Sequence, residues 1–137
     1  MPAWPLRLHP GDDLRRALEA AVAAQGLSAA FVVAGIGSLR PARIRLAGAE
    51  RPIELDGDLE LLTLSGTIAV QGSHLHLSVA DAAGRLVGGH AAYGCTVRTT
   101  AEVLLALLPG WSFSREPDPE TGWAELAIRP QGQGPDG

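Results

Sequence analysis

Three of the chain's four histidines fall within one short stretch, "HLHLSVADAAGRLVGGH", residues 74–90. Neutral imidazole is the commonest protein ligand for transition metals, so the question is whether His74, His76 and His90 act together. "SHLHLSVA" alternates, which puts His74, His76, Ser78 and Ala80 on one strand face and Leu75, Leu77 and Val79 on the other. "DAAGR" fits a three-residue hairpin loop, a type I turn over Ala82 and Ala83 followed by Gly84 in the left-handed conformation, closed by Asp81 and Arg85. Antiparallel partners keep a constant index sum, so Val79 faces Val87, Leu77 faces Gly89 and His76 faces His90, with His74 two positions along the same face. Facing Cβ atoms lie about 4.5–5.5 Å apart, and imidazole nitrogens so placed can converge on one ion at about 2.0–2.1 Å. The Gly88–Gly89 pair removes side-chain bulk beside the cluster. Three histidines with no fourth protein ligand make an open site, where water or a substrate completes the coordination. A divalent transition metal, zinc first, is the expected ion, since imidazole suits zinc, copper, nickel or iron rather than magnesium or calcium. The competing interpretation is a pair of solvated histidines, and a one-residue slip would turn His90 to the core.

Other residues offer less. Cys95 lies five residues beyond His90, as a further ligand or redox thiol, but a small buried core residue is the commoner fate. Glu102 serves as a base only if its strand runs beside the hairpin; otherwise it is a solvated glutamate. Ser78 has no base partner visible in the sequence, and His9 beside Pro10 reads as a surface residue. Asp118, Thr121 and Gly122 read as a turn. "GIGSLRPARIRL" is not a phosphate loop, because Pro41 and an alternating strand stand where a helix amino terminus is needed. Gly35 and Gly37 are therefore expected to give backbone freedom in a tight connection, and the arginines of "RPARIR" to face solvent from a strand.

The elements that must position the histidines follow from periodicity. A short strand around Pro5 to His9 stops at Pro10-Gly11. "DDLRRALEAAVAAQG" predicts a helix, with Leu14, Leu18, Ala21, Val22 and Gln25 at helical spacing, Asp12 as N-cap and Gly26 closing the last turn. "SAAFVVAG" suits a strand buried on both faces, and "ARIRLAG" a half-exposed one. Asp56-Gly57 and Ser65-Gly66 are turn signals. "TVRTTAEVLLALLPG" is ambiguous: Thr99 and Glu102 match a capping box, while the apolar run suits either a helix or a buried strand. "EPDPETG" is a loop, "WAELAIRP" a final strand and 131–137 a flexible tail. One helix among many strands predicts an α+β class: a single compact domain over residues 1–130, mostly antiparallel sheet with one main helix.

Composition narrows the partners. The 137 residues suit one domain, and 46% hydrophobic against 19% charged residues describe an ordinary globular chain. No apolar run reaches the roughly 18 residues a membrane span needs. "MPAWPLRLHPGDD" lacks the features of a secretion signal, and a lone Cys95 forms no internal disulfide, so a cytoplasmic location is expected. Eleven basic residues, all arginine, stand against 15 acidic ones for a net charge of −4, which argues against nucleic-acid binding.

The segments "GDLELLTLSGTI", "HLHLSVADAAGRLVGGH" and "GCTVRTTAEVLL", in that order, with "GIGSL" upstream and "FSREPDPETGW" downstream, resemble the plant and prokaryote conserved (PPC) domain in its stand-alone bacterial form. The resemblance covers roughly residues 5 to 129. It implies an α+β fold that associates as a homotrimer, a three-histidine metal site mapping onto His74, His76 and His90, and a strand at "TAEVLLALL". Plant members of the family bind DNA in chromatin through a separate basic hook with an Arg-Gly-Arg-Pro core, and bacterial members carry a provisional DNA-binding label. This chain has no such hook, so direct DNA binding is not expected. The long runs "AAFVVAG" and "VLLALLPGW" offer more apolar surface than one helix covers, in keeping with self-association.

Two functional classes follow: a trimeric regulatory or assembly module stabilised or informed by metal, or a small metal-dependent enzyme of hydrolytic or lyase type acting on a small molecule at the open coordination position. A cleft holding Glu102, Arg40 or Arg115 near the histidines would favour chemistry; a water-poor site without acid or base would favour the module.

Overall fold

In the computed structural model, which describes residues 2–132, the amphipathic stretch after Pro10-Gly11 forms α1 (Leu14–Ala24) with Leu14, Leu18 and Val22 buried. Its N-cap is Asp13, whose carboxylate accepts the Arg16 backbone N–H at 3.1 Å. Asp12, the cap expected from the sequence, instead accepts the His9 backbone N–H at 2.9 Å. A tertiary contact decides between the two aspartates, because Asp13 also takes the Gly94 N–H at 2.6 Å and so ties the helix start to a distant turn.

The strands are β1 (Ala3–Leu8), β2 (Ala30–Leu39), β3 (Ala42–Arg45), β4 (Ile53–Leu55), β5 (Leu59–Ala69), β6 (Gly72–Ala80), β7 (Leu86–Ala91), β8 (Val97–Leu107), β9 (Trp111–Pro117) and β10 (Ala124–Pro130). Among the described residues, eight form one antiparallel sheet in the order β1-β8-β2-β5-β6-β7-β3-β4, and β9 and β10 form a separate ribbon. This is the α+β architecture expected, a single mostly antiparallel domain with one helix. The helix joins one face of the sheet in a core that includes Leu39, Ile44, Leu64, Leu75, Leu77 and Leu105. "TAEVLLALL" is strand, inside β8. The ambiguity is resolved by pairing: β8 lies between β1 and β2 and bonds to both, which a helix there could not do.

Three local expectations are corrected. β2 is not buried on both faces; Ala30 and Val32 are buried, while Phe31, Val33 and Ile36 lie 41–55% exposed. Gly35 and Gly37 are not in a connection but inside β2, where irregular pairing with β8 brings the Thr100 carbonyl close to Gly37. Ser65-Gly66 is no turn either, since β5 runs straight through it. Gly66 serves close approach: a Cβ there would stand 2.0 Å from the His74 carbonyl oxygen, and its φ of +148° is one that side chains rarely adopt. A sequence signal for a turn and one for tight strand packing are the same residue type.

The tail expectation for 131–137 falls mostly outside the described residues; of its first two, Gln131 donates its N–H to the Gly110 carbonyl at 3.0 Å. The turn at Asp118–Trp123 is as expected, with the Gly122 N–H bonded to the Asp118 carbonyl at 2.8 Å and the Trp123 N–H to the Thr121 hydroxyl at 3.3 Å.

Candidate metal centre

The β6–β7 hairpin has the register its turn chemistry predicts. The Asp81 N–H donates to the Arg85 carbonyl at 3.0 Å and the Gly84 N–H to the Asp81 carbonyl at 2.9 Å, with Gly84 at φ +78° and an Asp81–Arg85 ion pair at 3.0 Å. The loop's hydrogen bonds hold the Asp81 carboxyl below its usual range. Val79 then faces Val87, Leu77 faces Gly89 and His76 faces His90. Leu75, Leu77 and Val79 are buried in the core, so the histidines lie on the opposite, open face. Gly88 shares the face of the histidines, but Gly89 shares that of Leu77, so only one of the two glycines clears space beside the cluster.

His74, His76 and His90 come together as expected. Their ring centroids are 4.6–5.1 Å apart, the rings of His74 and His90 stack within 12°, and that of His76 stands edge-on to both. One nitrogen from each lies within 4.8 Å of the other two. A tetrahedral ion at about 2.0–2.1 Å from each needs nitrogens about 3.4 Å apart, which small side-chain rotations supply. Among the described residues no ring nitrogen of the three is engaged by another protein group, so the donors are available. Burial and the Arg115 guanidinium, with His76, His90 and Arg15 adding, hold His74 down at about 4; burial, then Arg45, likewise lowers His90. Neutral rings are the form that ligates metal.

Sheet pairing extends the site beyond the hairpin. Ser65, His76, His90 and Arg45 form one row across β5, β6, β7 and β3, and Thr67 stands opposite His74. Paired residues share a face, so Arg45 joins the histidines. Arg115 reaches in from β9 and donates to the Thr67 hydroxyl at 3.0 Å. A cleft of about 960 Å3 runs between these groups, walled by the β3–β4 connection at Glu50 and the β9–β10 ribbon at Trp123 and Glu125. A smaller one of about 220 Å3 lies on the Arg15 side of His74 and His90.

Of the residues named as markers of chemistry, Arg115 is in the cleft while Arg40 is held by Asp58 at 3.0 Å and Glu102 pairs across to Arg7 and Ile36. Cys95 is a buried core residue: its Sγ accepts the Arg43 N–H at 3.4 Å and donates to the Arg43 carbonyl at 3.3 Å, and burial pushes its thiol up. The Ser78 hydroxyl meets that of Thr63 at 2.6 Å and has no base beside it, and His9 is exposed. Sequence reasoning missed Arg45, which it left facing solvent with the rest of "RPARIR", and Arg15 and Glu50 as well. The alternation of "ARIR" placed Arg43 and Arg45 on one face, but only the long-range β3–β7 pairing says what that face meets.

The architecture and the open-faced histidine hairpin define a class, an α+β sheet domain carrying three convergent imidazoles. Residues 1–109 match the Plants and Prokaryotes Conserved (PCC) domain, and the chain belongs to that family, the one abbreviated PPC above. It is 50% identical over 127 residues to the bifunctional protein GlmU of Synechococcus sp. strain JA-2-3B'a(2-13), covering 93% of this chain and 20% of that protein. The chain thus spans about a fifth of the length of the curated relatives it matches. A hypothetical protein from Salmonella enterica has the same fold at a TM-score of 0.91 with 41% identity, covering 95% of this chain and 94% of that one. A metal-containing protein from Archaeoglobus fulgidus superposes with a TM-score of 0.74 at 26% identity, covering 93% and 94% of the two chains. No helix among the described residues is long and apolar enough to cross a membrane.

Proposed function

We propose that this chain is a homotrimeric PPC module that binds one divalent transition metal, zinc first, through His74, His76 and His90, and serves in regulation or assembly. The observation that carries the metal is the convergence of three unengaged imidazole nitrogens within 4.8 Å on an open face. The relative described as metal-containing supports it. Assembly is supported by the uncovered apolar residues Phe31, Val33, Ile36, Leu62 and Leu104 on the adjacent strands β2, β5 and β8, which are 38–55% exposed.

The test is elemental analysis of protein purified without a histidine tag. About one equivalent per chain is expected, His90→Ala should lose most of it by leaving two ligands, and His9→Ala should keep it. Wild-type metal content in the His90 variant would overturn the site. Light scattering should report three times the 14.2 kDa chain mass, and a monomer across the micromolar range would overturn the trimer.

A second proposal, a small metal-dependent enzyme of hydrolytic or lyase type, is favoured by the cleft itself, which sets the Arg115 and Arg45 guanidiniums and the Glu50 and Glu125 carboxylates around the histidines. A bound metal would supply Lewis-acid polarisation there, while the arginines orient a substrate and the carboxylates hold or move protons. The two proposals separate on turnover: an enzyme should convert a small molecule held in the cleft in a metal-dependent way, whereas a module should return it unchanged.

A further inference from the structure

The arginines of this chain sort themselves by partner. Arg40 and Arg98 share Asp58, Arg85 pairs with Asp81, Arg129 with Glu116, and Arg15 with Glu19. Among the described residues four arginines are half-buried: Arg15, Arg45, Arg115 and Arg129. Two of these have no carboxylate within 4.0 Å, and they are Arg45 and Arg115. Both line the cleft beside His74 and His90.

Their side chains are also underused. A guanidinium has five N–H donors. Arg45 gives one bond, to the Ala49 carbonyl at 3.1 Å, and Arg115 gives one, to the Thr67 hydroxyl at 3.0 Å. These single bonds hold each head group at the cleft wall and leave the rest of its fork open. Taking a cation partly out of water without an anion is costly, and two such cations bordering one cavity repel each other. The imidazoles between them contribute no compensating negative charge. Three positive or electrophilic elements, namely two guanidiniums and the metal-ligating face, thus border one cavity.

The exposed part of the lining has the other sign. Glu50 and Glu125 stand exposed at the rim and reach neither arginine. A polyanion entering here would meet the arginines at the walls and two exposed carboxylates as well. A small ligand with a single oxyanion and a polar, neutral or cationic remainder meets neither conflict. Trp123, 74% exposed at the same rim, offers a flat apolar surface to that remainder.

We infer that Arg45 and Arg115 form the binding site for the carboxylate or phosphate group of a small molecule seated in the cleft over His74 and His90. This deepens the metal-centre proposal and rests on it for the innermost contact. The forked donors suit a bidentate oxyanion, and a metal held by the three histidines would supply a Lewis acid beside it.

Calorimetric titration of the metal-loaded chain with inorganic phosphate and, separately, with glycolate, which has one carboxylate and one hydroxyl, tests this, with metal content measured on the same samples. At least one of the two should bind saturably with a Kd of about 1 mM or tighter, and which one binds identifies the oxyanion. Arg45→Gln and Arg115→Gln should each weaken that binding about tenfold or more while metal content stays at the wild-type level. Arg115→Lys should recover only part of the loss, since it keeps charge without the fork. Arg85→Gln, on the distant hairpin loop, should change nothing. Absence of saturable binding of either anion by a fully metal-loaded chain would overturn the inference and leave the metal site standing. Equal affinity in the arginine variants would overturn it too. Anion binding that depends on both arginines in a chain retaining no metal would keep the arginine site and remove the metal proposal.

Discussion

Gly89→Ala is the substitution that most directly separates the two halves of the cleft. Gly89 sits on β7 on the core face, one residue before His90. An added Cβ would stand 2.6 Å from the Arg45 carbonyl oxygen and 3.0 Å from Ile44 Cγ2, where ordinary contacts begin at 3.4 Å. Relief requires β3 to retreat from β7 by nearly an ångström, and their pairing consists of only Ile44 with Ala91 and Arg45 with His90. Overpacking of this kind costs about 1–3 kcal/mol. With an unfolding entropy of about 2.1 cal/mol/K per residue, each kcal/mol moves the melting temperature of such a chain by about 3–4 °C, so a drop of about 3–10 °C is expected. The β6–β7 register is untouched by this shift, so His76 and His90 stay opposed and metal content should remain at wild type. Arg45 moves away, and phosphate or glycolate affinity should fall. Thermal melting, elemental analysis and anion titration on one preparation read the three effects together. An unchanged melting temperature would refute the close β3–β7 contact, and loss of metal with unchanged anion affinity would refute the division of the site into hairpin and wall.

Further outcomes follow from the same geometry. Leu77 is 4% exposed, on the face opposite the histidines, so Leu77→Ala should cost about 2–5 kcal/mol in chemical denaturation yet retain metal in the folded fraction; a neutral effect would place that face outside the core. Because His74 is held at about 4 against 6.5 for an ordinary histidine, the unfolded chain takes up a proton in that window and the folded chain does not. The metal-free protein should therefore lose stability as pH falls from about 6.5 to 4, and His74→Gln should make the profile shallower there, with the lowered His90 supplying the rest; parallel profiles would show that His74 titrates normally. With a net charge of −4 and rim carboxylates at the cleft, mobility-shift titration at near-physiological salt should show no specific DNA binding, whereas sub-micromolar affinity with steep salt dependence would contradict it.

The parts of the site legible in the sequence are those set by local rules. Alternation in "SHLHLSVA" and the demands of a three-residue loop were enough to oppose His76 and His90, because turn type and period two leave one register. The helix was legible for the same reason, but its cap was not, as Asp12 and Asp13 differ only in what the fold brings near them. Arg45 escaped because its partner is forty-five residues away in sequence, across a two-residue pairing that no local pattern announces. Glycines misled twice: Ser65-Gly66 and Gly35 to Gly37 carry the composition of turns, yet they lie where neighbouring backbones crowd the strand. The exposure of alternate β2 residues also contradicts a pattern that suits full burial, since continuous apolar runs do not say whether the second cover comes from the same chain.

The cleft has a floor and walls of different mechanical character. The floor is central sheet, with Leu75 and Leu77 anchored beneath the histidines in the core. The walls belong to the connection after Arg45 and to a two-stranded ribbon outside the main sheet, where Glu50, Trp123 and Glu125 are exposed and carry little of the packing. Substitution at those exposed positions leaves the core intact, whereas Phe113 on the same ribbon, 2% exposed, is part of it. The rim can therefore change in sequence and shape without disturbing the imidazole platform that the core holds in place.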